Sequence, residues 1–363
     1  MGSFVRMQLE REIGGKWEAG SFTRPWAPHQ TSASRFPLPT SHPVIPPTFD
    51  TIPYLCPMAA KKHLIVIGGP TASGKTTLSI ELAKHFGAPI LSADSRQFYR
   101  EMSIGTAKPG AKELAAAKHY FVDNLSIEDP YSVGDYERAA LALLDQLYEE
   151  QDIVIMAGGS GLFIKAVCEG MDRFPNVPAE VKAGVQQLLD EKGMEALQAE
   201  LEKADPDYYK IVDLHNPHRL IRALGVCRAS GQPFTSFWQQ SNVKRHFEPI
   251  YILTEMEREA LYERINKRVD LMLENGLVQE AKSLYPKRRL TSLQTVGYRE
   301  LFEHFDGTIS MEKAIELIKR NSRRYAKRQM TWLRGNPAWK AFAPSPSSPI
   351  IQYVEQQIKP ETT

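Results

Sequence analysis

Eight consecutive residues, Gly69-Pro70-Thr71-Ala72-Ser73-Gly74-Lys75-Thr76, match the spacing of a phosphate-binding loop. Glycine at both ends of the run lets backbone N–H groups turn inward around a diphosphate. Lys75 adds a mobile positive charge, and the Thr76 hydroxyl is the residue type that ligates Mg²⁺ in such loops. The flanks agree. The apolar run His63–Ile67 reads as a strand entering the loop, and Leu78, Leu82 and Phe86 recur every fourth residue as in a helix leaving it. The loop is thereby placed at a helix N-terminus, which favours anions. A merely flexible glycine turn does not account for the Lys75-Thr76 pair.

Two further strand ends carry informative residues. The run Pro89–Ala93 leads into Asp94-Ser95-Arg96-Gln97-Phe98-Tyr99. An Asp at a strand's carboxyl end, beside a phosphate loop, faces the ligand crevice and can take a proton or help hold Mg²⁺; the plainer role is capping the next helix. The run Asp152–Ala157 ends in Gly158-Gly159-Ser160-Gly161 rather than in the Asp that a nucleotide hydrolase uses to hold its metal. That difference weakens a hydrolase. The glycines offer a second place of close backbone approach. Ser160 can donate a hydroxyl hydrogen bond there or simply cap a helix.

These strands alternate with helical stretches from Met58 onward, which predicts an α/β fold: a parallel sheet core of the P-loop NTPase-like type, with helices on both faces and ligands at the strands' carboxyl ends. Between Asp172 and His246 strong strands are lacking, and Pro175, Pro178, Pro206, Pro217 and Pro233 punctuate helical sequence. We expect a helical insertion over 172–246 within a core of 58–171 and 247–340, with Pro249–Thr254 as a returning strand and amphipathic helices to Leu333. Residues 341–363, rich in Pro and Ser near Ala343–Pro349, read as a tail. Residues 1–57 hold nine of the 25 prolines and no apolar periodicity. They gain too little from burial to offset their ordering entropy, so they are expected to be disordered, or to precede a true start at Met58. Glu10, Glu12 and Glu18 speak against a transit peptide.

Composition limits the partners. Net charge is only +2, so affinity for nucleic acid must come from local clustering. One cluster is evident: Lys319–Arg334 holds seven basic residues and no acidic one. Arg320, Arg324 and Arg328 form one row beside Lys319, Arg323 and Lys327, while Ile315, Ile318, Tyr325 and Trp332 fall on the side expected to dock on the core. Like charges four apart destabilise a helix slightly, so the rows point to an anionic partner. No apolar run approaches the roughly 20 residues of a membrane span. Cys56, Cys168 and Cys227 are far apart, without zinc spacing, as in a reducing cytoplasm.

The string Asp94–Tyr99, followed by Ile104-Gly105-Thr106-Ala107-Lys108-Pro109, resembles the signature of tRNA dimethylallyltransferases. The resemblance continues through Ala157–Leu162, Asn216–Ala223, Gln294–Glu300 and Arg323–Arg334, in order, and spans about Lys62 to Leu333. It implies a P-loop core with a helical insertion that grips the anticodon stem-loop of tRNA, in a monomeric cytoplasmic enzyme. It also implies transfer from dimethylallyl diphosphate to N6 of the adenosine 3′ of the anticodon, with Mg²⁺. Asp94 then matches the general base, and Lys75, Ser160, Arg324 and Arg328 the groups serving the diphosphate. The family's RNA contacts map to Asp94, Ser95, Arg96, Gln97, Ser160, Lys182, His218, Arg219, Leu220, Ile221 and Arg222, with Gln97 able to read an adenine edge. Ser160 stands where many relatives have Thr, Lys182 where many have Arg, and Gly225 where an acidic residue is more usual. An adenylate prenyltransferase, a small-molecule kinase and a non-catalytic RNA-binding module are the rivals. The insertion disfavours the first, and the presence of Asp94, Lys75 and Thr76 disfavours the last.

Overall fold

Leu64, Ile65, Val66 and Ile67 are all fully buried, which a strand achieves only when covered on both faces. They form β1 (Lys62–Gly68) at the centre of a computed structural model that describes residues 61–238 and 243–359. The extension 1–57 lies outside the described residues. After β1 come α1 (Lys75–Phe86), β2 (Ile90–Ser92), α2 (Ala111–Ala116), β3 (His119–Tyr120), α3 (Val133–Glu150), β4 (Ile153–Gly158) and α4 (Gly161–Glu169). Three helices, α5 (Ala179–Ala204), α6 (Pro206–Ile211) and α7 (Pro217–Ser230), precede β5 (Phe247–Thr254). The chain continues through α8 (Arg258–Glu274), α9 (Leu277–Leu284), α10 (Tyr298–Phe305), α11 (Met311–Arg334), β6 (Lys340–Phe342) and α12 (Ser348–Ile358).

The sheet order is β3-β2-β4-β1-β5-β6, with every pair parallel. Side chains alternate across a strand, and β1 shows the consequence. Leu64 and Val66 pack with Tyr136 and Leu144 of α3 and Val167 of α4. Ile65 and Ile67 face the other way, onto Leu78 and Leu82 of α1. The α/β class with helices on both faces is therefore as the strand–helix alternation predicts. Strand order turns back at β1, which has β4 on one side and β5 on the other, so the crevice opens at their carboxyl ends.

The segment α5–α7 builds a core of its own from Val185, Leu197 and Leu201 against Leu220, Leu224 and Cys227. Its prolines start elements rather than break them. Pro178 precedes α5, Pro206 and Pro217 open α6 and α7, and Pro233 precedes a 3-10 turn at Phe234–Phe237. Proline suits a first turn because its missing N–H would have no partner there.

The expected tail is part of the core. β6 pairs in parallel with β5, from Ile252↔Lys340 to Thr254↔Phe342, and α12 buries Ile350 and Val354 completely against the sheet. The Pro/Ser run ends at Pro349; behind it Ile350, Ile351, Val354 and Ile358 recur at helical spacing. Ile350→Ala should therefore destabilise the protein by about 2–5 kcal/mol, the usual range for emptying a fully buried site. A denaturation midpoint equal to the unsubstituted chain's would show that α12 is not part of the cooperative fold.

Candidate active site

The loop after β1 is held by side chains from three other elements. Ser73 Oγ and Thr254 Oγ1 of β5 are 2.6 Å apart and buried, and Thr254 Oγ1 also donates to Gly68 O at 3.2 Å. Arg264 Nε on α8 donates to Ala72 O at 2.9 Å, and Thr71 N donates to Gln329 Oε1 on α11 at 2.9 Å. Gly69 is required by this packing, since a Cβ there would lie 1.9 Å from Thr254 Oγ1. The first turn of α1 has no side-chain cap and no acidic residue, so its N–H groups and positive dipole end are left for a ligand.

Lys75 Nζ folds back onto Pro70 O at 2.6 Å. Burial pushes its ammonium down to about 7; neighbouring Arg268 lowers it further, and only Asp94 opposes them. A buried cation with too little negative charge around it is an anion site awaiting its charge.

Asp94 follows β2 and lines the same cavity as Lys75 and Thr76, with a volume of ≈ 400 Å³. Its Oδ1 accepts from Arg96 N at 3.0 Å, closing a turn rather than capping a helix. Among the described residues Oδ2 has no hydrogen-bond partner. Arg96 reaches across to Ser292 O at 2.8 Å and Thr291 O at 3.3 Å. Gln97 accepts from Ser92 Oγ at 3.1 Å through Oε1 and donates to Thr106 O and Ala107 O, both at 3.4 Å. Those two long bonds leave its amide only loosely committed. The opposite wall is fixed by Glu280, whose carboxylate accepts from the N–H groups of Ser103, Ile104 and Gly105 at 3.0, 2.8 and 2.9 Å.

Ser160 is not a side-chain cap for α4. Its Oγ accepts from Ser95 N at 3.0 Å and approaches Ser95 Oγ at 3.3 Å, tying the β4 turn to the β2 turn. Gly158 and Gly159 line the cavity, but the close approaches they permit are to protein. A Cβ would lie 2.2 Å from Ala93 O at the first and 2.2 Å from Gln329 Nε2 at the second.

The basic helix divides its residues. Arg328 lines the cavity and Arg324 does not. Lys319 pairs with Asp270 at 2.6 Å, and Arg323 donates to Asn266 Oδ1 at 2.6 Å, so these two cations are engaged within the protein. Tyr325, expected on the core-docking side, instead faces the cavity. Burial, reinforced by the Asp94 charge, pushes its phenol up to about 12 and keeps it a neutral hydroxyl. On the insertion, Lys182, His218, Arg219 and Arg222 are exposed, and the Arg222 guanidinium lies 5.0 Å from the Phe174 ring centroid. None of the four lines the cavity. Leu220 is fully buried and Ile221 packs against the same cluster, so Leu220 serves the insertion's core rather than an RNA contact. A Cβ at Gly225 would meet Val177 Cγ1 at 3.3 Å, leaving little room for the acidic residue more usual there.

Three cavity residues escape the motif analysis: Arg268, Gln329 and Tyr325. Arg264 and Arg268 stand four apart at the start of the helix after the returning strand, a signal that could have found the first. Gln329 bridges the two glycine turns, accepting from Thr71 N and donating to Gly159 O at 2.9 Å.

A glycine-rich loop after the central strand of a parallel sheet, opening an α-helix, defines a P-loop protein. The IPP transferase family model matches residues 97–336. A protein of Christiangramia forsetii called tRNA dimethylallyltransferase is 52% identical over 297 residues, covering 82% of this chain and 98% of that one. Its namesake in Flavobacterium johnsoniae is 48% identical over 305 residues, covering 82% and 99%. The crystal structure of the full-length tRNA isopentenylpyrophosphate transferase of Bacillus halodurans superposes with a TM-score of 0.61 at 35% identity, covering 82% of this chain and 96% of that one. The chain belongs to the IPP transferase family, and it is a transferase; the resemblance carried by Asp94–Tyr99 and Ile104–Pro109 holds.

Filling the cavity with an anion should return Lys75 toward the usual lysine value near 10.4. At pH 8, above its lowered value, Lys75 is mostly neutral when the cavity is empty, so diphosphate binding should take up a proton; at pH 6 it should take up almost none through this group. Calorimetry in two buffers of different ionisation enthalpy measures the difference, with Lys75→Arg as the permanently charged control. Equal uptake by both proteins at pH 8 would show that Lys75 is already charged.

Proposed function

We propose that this transferase moves a dimethylallyl group from dimethylallyl diphosphate to the exocyclic N6 of the adenosine 3′ of the anticodon in tRNA, releasing diphosphate. The observation that carries this reading is the convergence of Asp94, Lys75 and Arg328 on one cavity at the carboxyl ends of the sheet. An adenine amine is a weak nucleophile because its lone pair delocalises into the ring. A base must take its proton as the new N–C bond forms, and Asp94 Oδ2 is the open carboxylate oxygen placed for it. The allylic C–O bond breaks as N6–C1 forms, and its electron pair leaves with the diphosphate. That developing charge meets the loop amides, Lys75, Arg268 and Arg328. The target base must leave its stack to enter, with Gln97 at the wall to meet its edge and Ser160 bracing the turn that carries Ser95.

Mg²⁺ fits the residues present. Thr76 and Asp94 offer hard oxygen donors in the cavity, while the described residues hold no cluster of three His, Cys, Asp or Glu. Such a site suits an ion whose other ligands are diphosphate oxygens and water. When bound it supplies charge neutralisation on the leaving group.

We place the anticodon stem-loop along the insertion, where Lys182, His218, Arg219 and Arg222 are exposed, and the reaction in the cytoplasm on a monomer. No helix among the described residues is long and apolar enough to cross a membrane. Purified protein with labelled dimethylallyl diphosphate and either tRNA or AMP, or labelled ATP with a small-molecule acceptor, separates the readings. Label in tRNA supports this one, and label only in AMP or only in a phosphorylated small molecule overturns it.

Asp94→Asn keeps Oδ1 as the acceptor for Arg96 N and removes the basic oxygen. It should lower kcat by about 10²- to 10⁴-fold while leaving stem-loop affinity nearly unchanged; full turnover would remove Asp94 from the role of base. Arg219→Ala should weaken tRNA binding and reduce the steepness of its salt dependence by about one counterion. An unaltered dissociation constant across a salt series would take Arg219 out of the interface.

A further inference from the structure

Helix α11 presents one continuous stripe toward the cavity: Ile318, Ser322, Tyr325 and Gln329, spaced four, three and four, all line it. Trp332 is the next member, three residues on and one turn beyond the cavity. It was expected to dock on the core, yet it is 41% exposed. Its ring lies against Gly161, where a Cβ would fall 2.0 Å from the indole Cε3. Only glycine lets the indole lie this close to the start of α4. Gly161 follows the turn whose Gly158 and Gly159 line the cavity, so the ring stands beside the cavity rather than remote from it. Leu162 beside it is 45% exposed. On the flank of the stripe Arg324, Lys327 and Arg328 are all exposed, and Arg328 also reaches the cavity.

An exposed aromatic beside a row of cations, continuous with a cavity that admits one base, has the chemistry of a single-stranded nucleic-acid platform. We propose that Trp332 is a stacking site for an unpaired nucleotide next to the one admitted to the cavity, with Arg324 and Arg328 facing the phosphates between the two. A nucleobase has an apolar face for the indole, and its phosphodiester has the charge that Arg324 and Arg328 lack. The site rests on the RNA-substrate reading above and deepens it. It also gives Arg324, which is outside the cavity, an anionic partner on the helix exterior.

The test is a coupling cycle on the full chain with synthetic anticodon stem-loops in which each loop nucleotide beside the target adenosine is made abasic in turn. With the unmodified stem-loop, Trp332→Leu should raise Kd about tenfold, within the range of losing one base–aromatic stack. Trp332→Phe should recover most of that, and KM for dimethylallyl diphosphate should stay unchanged in both. At one loop position the abasic change should weaken the unsubstituted protein but cost Trp332→Leu little more, so that the two losses are not additive. Additive losses at every position, or an unchanged Kd, overturn the stacking site. A Trp332→Leu protein whose donor KM also rises, or whose melting point falls without Trp332→Phe rescue, shows a structural role instead and equally overturns it. Failure of the unsubstituted protein to prenylate any stem-loop would overturn the RNA-substrate reading itself, an outcome distinct from prenylation with additive losses.

Discussion

A lysine ammonium held out of water, with another cation beside it, is the constraint around which the molecule is arranged. Lys75 stands at the N-terminus of α1, where uncapped N–H groups already lend positive potential, and Arg268 adds to it. Water would relieve this charge, and burial withholds water. What remains is a place whose free energy falls steeply when a multiply charged anion enters, because the interaction is not screened as it would be at a surface. The parallel sheet serves this place directly: β1 ends at the loop, β2 brings Asp94 from one side, and β5 brings Thr254 from the other.

Such a loop must be rigid before its ligand arrives, or ordering it would consume the binding energy. Gln329 supplies much of that rigidity. A single buried amide accepts from Thr71 N and donates to Gly159 O, both at 2.9 Å, so the phosphate loop, the second glycine turn and α11 move as one body. Ser160 extends the coupling to the turn after β2 through Ser95 N at 3.0 Å. The group that takes the proton and the groups that receive the leaving anion are thus held in one hydrogen-bonded frame. Glu280 closes the opposite wall in the same way, satisfying three consecutive N–H groups with one carboxylate.

Legibility in the sequence followed the range of the physics involved. The loop, Asp94 and the Gly158–Gly161 turn were readable because a short string at a strand's carboxyl end fixes both its local geometry and its exposure to the crevice. Helix faces were not. Lys319, Arg323, Arg324 and Arg328 look alike along α11, and only the packing against α8 decides that two are engaged with Asp270 and Asn266 while Arg328 reaches the cavity. Tyr325 and Trp332 were placed on the core side for the same reason: periodicity gives a stripe but not which partner the stripe meets. Leu220 lies between basic neighbours, and a motif counts it with them although its side chain is fully buried. The terminal segment failed differently, since the composition of 343–349 hid an apolar stripe that begins at Ile350.

The insertion bears on the choice between a free nucleotide and RNA as acceptor. Its helices α5 and α7 bury Val185, Leu197, Leu201, Leu220 and Leu224 against one another, and none of its exposed cations lines the cavity. An enzyme acting on a mononucleotide has no use for cations beyond the reach of its substrate. A folded RNA arm does, because backbone contacts far from the reacting base set its register without reading sequence. Self-supporting packing is what that task asks of the insertion: it must present Arg219 and Arg222 on a stiff helix while the chemistry proceeds elsewhere. Asn216 starts that helix by accepting from Arg219 N at 3.3 Å, so the residue that begins α7 also fixes the backbone of the first cation it displays.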